Sequence, residues 1–467
     1  MKRFMLWVMA TILICGLNVF TACDDNKDQP INNQERQAFE TALSRALDEA
    51  SKNVRLDKGS EVLQGLTDIV TSMDDEALKE LRDEVIQTVL LNADNIFFDA
   101  LSEEENAVVH KCLVERFAMT EEEYSELVGF LMLDAYKVFG HMKVTFKDGK
   151  STLSESDDFV VENIDKDGRS TSLTIKFTDV NDGVRFFVER VQDITPICLQ
   201  FPQQVEIMLK TADGLEMPGT LDLSSKSPFQ YISVMNDEWH AAFSLTPQFD
   251  GHHDIYDVTF DHSTENVLNV DMDVILDGVE KLNFTARGAH DLYVDIKKLN
   301  SLNSESSFVD FLSVFNGGVV DELQAVINNE IVVKGKINDF STCMKAVDNI
   351  RMLSGTNPGF AAIDVYTQQM NASMDVGYSL KGHTTAASCN LVTYRVSPDA
   401  EEYLPFVALQ FPGEPAPMVA YDRMSEQDKA NYRLLHSQIN ALGMGVRDLL
   451  SVLREKIQII SSLDDMI

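Results

Sequence analysis

The stretch LNVDMDVILDGVEKLNFTA, residues 268–286, indicates the fold class more clearly than any other part of the chain. Apolar and polar residues alternate on both sides of Asp277-Gly278, and this is the period of a β-strand with one buried face. An Asp-Gly pair favours a type I′ turn because both central residues of that turn have positive φ. We therefore predict a two-stranded hairpin. Its predicted buried face consists of Leu268, Val270, Met272, Val274, Leu276, Leu282, Phe284 and Ala286.

The same turn signal recurs through the middle of the chain. Further Asp-Gly pairs occur at Asp148-Gly149, Asp167-Gly168, Asp182-Gly183, Asp213-Gly214 and Asp250-Gly251. With alternating segments around them, they predict hairpins over 173–189 and 205–223. We expect residues 141–300 to form an antiparallel meander of about eight to twelve strands, folded back or curled because open sheets rarely exceed about ten.

Helical spacing dominates the segment before this meander. In 36–140 the apolar residues recur every three or four positions, as at Phe39, Leu43 and Leu47. About four or five helices are expected here.

The segment after the meander, 301–467, has a mixed pattern. We predict helices at 308–315, 321–328 and within 342–373, and strands at 331–336, 376–396 and 403–411. Ser425 and Asp428 occupy cap-like positions before an apolar stripe that runs to Ile460, which predicts a long amphipathic C-terminal helix. The predicted fold class is α+β.

Composition and charge limit the classes of function. The chain has 467 residues, of which 44% are hydrophobic and 24% charged, as in a folded globular protein. Its formal net charge of -36 repels phosphate backbones, so nucleic acid is excluded as a partner.

The N-terminus has the features of an exported protein. Met1-Lys2-Arg3 is followed by an apolar run over 6–19, which is shorter than the roughly 20 residues of a transmembrane helix. The run ends at Thr21-Ala22-Cys23. The segment Phe20-Thr21-Ala22-Cys23 resembles a bacterial lipobox, in which small residues precede a cysteine that receives diacylglycerol before the leader is removed. The alternative is an ordinary secretory leader.

This resemblance implies a location and an anchor. Residues 1–22 would be a lipoprotein signal peptide, Cys23 the lipidated residue, and 23–35 a flexible acidic tether to the membrane. The run Asp24-Asp25-Asn26-Lys27-Asp28 looks like the export signal of surface lipoproteins in Bacteroidota; a solvated tether is the plainer interpretation. We expect an outer-membrane protein that faces outward, or else the periplasm.

The remaining cysteines suggest no disulfide framework. Cys112, Cys198, Cys343 and Cys389 lie far apart in sequence, and there is no C-x-x-C pair. We expect them to be buried, although one or two disulfides in one of three pairings remain open.

Two groups of residues are candidate binding sites. Trp239, with Tyr231 and Phe229, could form an aromatic platform for sugar rings, whereas alternation groups Trp239 with a core face. His252, His253, Asp254 and His262 could hold a metal ion, although strand alternation sends His253 and Asp254 to opposite faces. The plainer interpretation is an exposed polar hairpin.

No catalytic residue or cofactor is assigned. The chain lacks the G-x-S-x-G, S-x-x-K, H-E-x-x-H and Rossmann motifs. The first hypothesis is therefore a non-enzymatic envelope lipoprotein that binds a glycan, a lipid or an envelope protein. Alternatives are a carrier that encloses lipid, and a hydrolase whose catalytic carboxylates are dispersed among the 75 acidic residues.

Overall fold

A computed structural model provides the coordinates of the chain. It describes residues 33–53, 56–71, 75–76, 78–79, 81, 91–117, 119–177, 183–191, 195–226, 229–232, 238–249, 251–263, 267–294, 298, 315–353, 358–383, 386–395, 403–411, 417–419, 422, 424–431, 433–434 and 452. The predicted signal peptide, Cys23, nearly all of the predicted tether and most of the predicted C-terminal helix lie outside these residues.

The described residues contain both helices and many strands, so the chain is α+β as predicted. The helices are α1 Asn33–Asn53, α2 Leu56–Thr71, α3 Glu103–Phe117, α4 Glu121–Glu126, α5 Ala135–Phe139, α6 Phe340–Leu353 and α7 Phe360–Ser373. The strands are β1 Ala93–Phe97, β2 Gly129–Asp134, β3 Met142–Lys147, β4 Lys150–Glu155, β5 Phe159–Ile164, β6 Ser170–Phe177, β7 Val184–Val191, β8 Thr195–Phe201, β9 Gln204–Lys210, β10 Glu216–Ser225, β11 Trp239–Leu245, β12 Gln248–Phe249, β13 His252–His262, β14 Leu268–Leu276, β15 Val279–Val294, β16 Phe315–Ile327, β17 Ile331–Ile337, β18 Met374–Leu380, β19 Ala386–Arg395, β20 Tyr403–Gln410 and β21 Met418–Val419.

The described residues fall into two compact units. Unit 1 takes those within Met1–Ser60, Val267–Asp295 and Ser306–Met444. Unit 2 takes those within Glu61–Asn266, Ile296–Glu305 and Gly445–Ile467.

Unit 1 contains a meander in which each strand from β14 to β21 pairs antiparallel with the next. Its first hairpin is the one predicted over 268–286. Every second residue of β14 from Val270 to Leu276 is buried, and Phe284 and Ala286 are buried on β15. Asp277 and Gly278 have φ of 49° and 77°, which are the positive values that a type I′ turn requires.

One prediction in unit 1 is wrong. Residues 321–328, expected to be helical, belong mainly to β16, which lies between β15 and β17. Asn328 and Asn329 have φ of 49° and 56°, so they form a second turn with two positive φ values. Asn tolerates this conformation, and the pairing on both sides of β16 outweighs the helical spacing of its apolar residues. The predicted helices within 342–373 and the strand at 331–336 are confirmed by α6, α7 and β17.

Helix α1 packs on the meander of unit 1, and we call its contacts the α1 interface. Phe39 is buried edge-on against the rings of Tyr378 and Phe411, each with centroids 5.7 Å away. Polar pairs surround this aromatic contact. They are Lys281 Nζ to Glu49 Oε2 at 2.6 Å, Ser44 Oγ to Asp428 Oδ2 at 2.8 Å, Asn431 Nδ2 to Asp48 Oδ1 at 3.2 Å, and Arg45 with Glu330.

The C-terminal segment begins as predicted. Residues 426–431 are helical, and Ser425 Oγ accepts the backbone N–H of Asp428 at 3.1 Å while Asp428 Oδ2 accepts that of Ser425 at 3.2 Å. This reciprocal pair is a capping box.

Unit 2 contains two sheets. In the larger sheet, β3 pairs antiparallel with β4 and parallel with β5. From β5 onward the neighbouring strands are all antiparallel, in the order β5-β6-β9-β10-β11-β13. The predicted hairpin over 205–223 is confirmed by β9 and β10. The hairpin predicted over 173–189 is wrong, because β6 belongs to the larger sheet and β7 to the smaller.

The smaller sheet has the order β1-β2-β8-β7, with β2 and β8 parallel. Strands β1 and β2 lie inside 36–140, where only helices were expected. The run Phe130-Leu131-Met132-Leu133 of β2 is continuously apolar, and periodicity cannot distinguish such a strand from a helix.

Helix α3 packs against this sheet through an apolar cluster, which we call the α3 interface. Its buried members are Val109, Cys112 and Leu113 of α3 with Met119, Phe130, Phe187, Cys198 and Tyr231. The helix begins with a capping box in which Ser102 Oγ accepts the N–H of Glu105 and Glu105 Oε2 accepts the N–H of Ser102. Across the described residues, no helix combines the length and apolar character needed to cross a membrane.

Candidate functional site

The three aromatic residues of the predicted sugar platform do not present a common open face. Tyr231 is only 4% exposed and belongs to the α3 interface, where its ring stacks on Phe187 with centroids 6.2 Å apart. Phe229 is partly buried against the same cluster, and Trp239 is not one of its members. Tyr231 therefore cannot offer a ring face to a sugar, which corrects that part of the platform hypothesis.

Trp239 lies at the start of β11, directly opposite His262 of β13. The two rings are stacked, with centroids 5.4 Å apart and planes 9° from parallel. The indole Nε1 is buried and has no hydrogen-bond partner within the described part of the chain. The face of Trp239 that meets His262 is thus occupied by protein.

The four predicted metal ligands lie on one strand but not in one place. His253 is exposed, whereas Asp254 is 1% exposed and His262 is also buried, as alternation along β13 requires. Asp254 and His262 are eight positions apart on β13, which is about 26 Å along a strand. One ion cannot bridge that distance. Searching the described residues for three or more His, Cys, Asp or Glu side chains in a metal-binding group finds none.

A different group in unit 2 combines charge, burial and open hydrogen-bonding capacity. Arg185, near the start of β7, is half-buried. Its Nε donates to Gln200 Oε1 at 3.0 Å and its Nη1 donates to the backbone carbonyl of Phe229 at 3.0 Å. Its Cζ lies 5.3 Å from the centroid of the Tyr231 ring, a cation–π distance. Three contacts therefore fix the guanidinium.

The backbone positions these groups. Arg185 N donates to the carbonyl of Gln230 at 2.9 Å, and Ile232 N donates to the carbonyl of Arg185 at 2.8 Å. This bridge between β7 and the segment 229–232 holds Phe229 and Tyr231 beside the guanidinium. Gln200 comes from β8, opposite Arg185 in the β7–β8 pairing.

The phenol of Tyr231 is the second group of this site. The ring is buried in the α3 interface, and the hydroxyl makes no hydrogen bond to any residue that the structure describes. Burial first, and then the nearby Cys198, raises the pKa of Tyr231, while the charge of Arg185 opposes that rise. The phenol is therefore protonated at neutral pH and can donate a hydrogen bond.

One carboxylate faces this site. The pKa of Glu105 is lowered, mainly by the backbone N–H and hydroxyl of Ser102 and to a smaller extent by the charge of Arg185. Glu105 is therefore ionised at neutral pH, but it serves the cap of α3 and makes no ion pair with Arg185.

Three of the four body cysteines are described as buried thiols, Cys112, Cys198 and Cys343. The side chain of Cys389 is outside the described part. Burial raises the pKa of Cys343 to about 12, and burial also raises the pKa of Cys198. These two thiols are protonated at neutral pH and hence poor nucleophiles, in agreement with the expected burial.

The sequence predicted Tyr231 and Phe229 as binding residues but did not indicate Arg185. Arg185 lies in the run VRFFVER, residues 184–190, which matches no motif. Strand pairing brings Gln200 opposite it, and the bridge to the segment 229–232 brings Phe229. An arginine among aromatic residues in a strand was the only available signal, and many structural arginines share it.

Comparison of the chain with protein-family models, with curated proteins and with solved structures gives no match in any of the three.

Proposed function

We propose that the chain is a lipid-anchored protein of the bacterial envelope that binds a ligand through its folded body and does not catalyse a reaction. The anchor is Cys23, the membrane is the outer membrane, and the body faces outward. The support for the anchor comes from Phe20-Thr21-Ala22-Cys23 and the preceding apolar run.

The observation that carries this proposal is the short distance in sequence between the anchor and the folded body. Helix α1 begins at Asn33, ten residues after Cys23. Ten residues span at most about 36 Å when fully extended. Helix α1 belongs to unit 1 and packs on its meander through Phe39 and four polar pairs. A lipid on Cys23 would therefore hold unit 1 close to the bilayer.

Replacing Cys23 with Ala tests the anchor. We expect the variant to be absent from the outer-membrane fraction and to keep its leader uncut, since lipidation precedes cleavage in lipoproteins. Cys15→Ala is the matched control, because it removes the other cysteine of the N-terminal segment and should change neither result. A Cys23→Ala variant that still reaches the outer membrane with its leader cut would overturn the proposal.

A second substitution tests the outward orientation. Asp24, Asp25 and Asp28 are replaced together by Asn, which removes the acidic run without touching Cys23. Protease added to intact cells should digest the native protein and should spare this variant, which should remain in the membrane fraction. Equal digestion of both would contradict the role of the acidic run.

A further inference from the structure

We infer that Arg185 and Tyr231 form a binding site for a compact anion, a carboxylate or phosphate group carried by a small apolar molecule. This inference rests on the proposed binding role of the folded body and specifies the ligand. It assigns Arg185 the role of charge partner and Tyr231 that of hydrogen-bond donor.

The first argument is the unused capacity of the guanidinium. It has five N–H donors, and its two hydrogen bonds go to an amide oxygen and a carbonyl oxygen. Neither hydrogen on Nη2 has a partner among the described residues, and no described carboxylate pairs with Arg185. A carboxylate or phosphate oxygen is the acceptor that such donors prefer.

The second argument is the contrast with the other arginines of this acidic protein. Arg287 binds both oxygens of Asp271 at 2.7 Å, and Arg169 pairs with Asp165 and Asp213. Asp and Glu outnumber Lys and Arg by 75 to 39, so a carboxylate partner for Arg185 would be easy to provide. Among the described residues, the hydrogen-bond partners of this guanidinium are instead neutral, which leaves its charge for a ligand.

The third argument is the phenol. The Tyr231 ring is nine-tenths buried beside the half-buried guanidinium of Arg185, and its hydroxyl makes no hydrogen bond in the described part of the chain. An anion bound to Nη2 and accepting from this hydroxyl would satisfy both groups at once. The partly buried ring of Phe229, whose carbonyl already holds Nη1, provides an apolar wall for the remainder of the ligand.

The test uses the full-length protein in neutral detergent and three probes of similar shape. Benzoate presents a carboxylate, phenyl phosphate presents a phosphate, and benzyl alcohol has no charge. Saturation-transfer NMR titrations give a dissociation constant for each. We expect benzoate or phenyl phosphate to bind about tenfold or more tightly than benzyl alcohol, since a charge-assisted hydrogen bond supplies that difference. The tighter of the two anions identifies the chemical source.

Variants assign the binding to the two residues. Arg185→Gln should weaken the anion by about tenfold or more and leave benzyl alcohol unchanged. Tyr231→Phe removes only a hydroxyl without a partner, so it should weaken the anion several-fold while the unfolding midpoint stays equal or rises. Arg169→Gln is the matched control at an exposed, paired arginine and should bind as the native protein does.

Each negative result has a definite meaning. If Arg185→Gln does not fold, the proposal is tested by the affinities of the three probes for the native chain and for Tyr231→Phe. The site is overturned if neither benzoate nor phenyl phosphate binds more tightly than benzyl alcohol, or if Tyr231→Phe and Arg185→Gln both bind the anion with native affinity. Since membrane association is measured on Cys23→Ala, failure of this site leaves the proposed anchor intact, and the reverse also holds.

Discussion

The α1 interface of unit 1 and the α3 interface of unit 2 attach a helix to a sheet in opposite ways. Helix α3 is held by a buried apolar cluster that includes Phe130, Leu113 and Cys198. Among the described side chains of helix α1, the buried Phe39, Ala42 and Ala46 are accompanied by several polar pairs to the rest of unit 1. Exposing the α3 interface to water costs hydrophobic free energy, whereas the charged groups of the α1 interface are readily hydrated. The contrast predicts that α1 can detach under conditions in which α3 remains docked.

The largest effect should come from the centre of the α3 interface. Phe130 is 2% exposed and its ring meets Phe187 at 5.1 Å and Tyr231 at 6.4 Å. Phe130→Ala should lower the free energy of unfolding by about 3–5 kcal/mol, measured by urea denaturation. Val128→Ala, at a position that is 76% exposed, is the control and should change it by less than about 0.5 kcal/mol. A loss below about 1 kcal/mol in Phe130→Ala would show that this cluster does not hold α3 on the sheet.

The best-shielded ion pair of the α1 interface should come next. The side chains of Lys281 and Glu49 are 19% and 31% exposed. Lys281→Met should cost about 1–2 kcal/mol, because it leaves a half-buried carboxylate without its donor. Hydrogen exchange of the α1 amides should rise, and those of α3 should not change. In the double variant with Glu49→Gln, the costs should not add; strict additivity would mean that the two groups do not interact.

The cap of α3 should have an effect that depends on pH. Ser102→Ala removes the acceptor for the N–H of Glu105 and should cost about 1 kcal/mol at pH 7. The pKa of Glu105 is lower in the folded protein than its ordinary value, so its ionised form stabilises the fold above that ordinary value. This contribution is lost as the pH falls through the lowered pKa. Urea titrations from pH 7 to pH 3 should therefore show that the free energy of unfolding falls less steeply with decreasing pH in Glu105→Gln than in the native chain. An equal fall in both would exclude the cap as the cause.

The smallest effect should come from the exposed end of the α1 interface. The side chains of Arg45 and Glu330 are 51% and 36% exposed. Arg45→Gln should change the free energy of unfolding by less than about 0.5 kcal/mol, and 1 M salt should remove even that difference. If Arg45→Gln instead equals Lys281→Met in its effect, burial does not decide the strength of these pairs.

The fold class could be predicted from the sequence because strand alternation and turn chemistry are local. The turn at Asp277-Gly278 and the burial of Val270, Met272 and Val274 were predicted, because they follow from turn chemistry and alternation alone, whereas Leu268 and Leu282 of the predicted face are only partly buried. The hairpin at Asn328-Asn329 was missed, although its φ values are similar. Asn-Asn is a weaker turn signal than Asp-Gly, and the apolar residues of β16 happen to match helical spacing.

The candidate site could be predicted only in part, because its geometry depends on strand order. Tyr231 and Phe229 were predicted as binding residues because they are aromatic, but they do not form the predicted sugar platform with Trp239. Arg185 reaches them only because β7 leaves the larger sheet and pairs with β8. The sequence predicted β7 as the partner of β6, so no local pattern could place this guanidinium.

The α1 interface also sets an order of events during synthesis. Ser44 bonds to a residue 384 positions later, and Arg45 to one 285 positions later. At 5–20 residues per second, a ribosome needs about 20–80 s to make the chain between Ser44 and Asp428. Throughout that time the docking surface of α1 is incomplete, and its apolar face, centred on Phe39, is open to chaperones and to the export machinery. The partners of α3 follow within a much shorter stretch, so its sheet can be completed while the rest of the chain is still being translated.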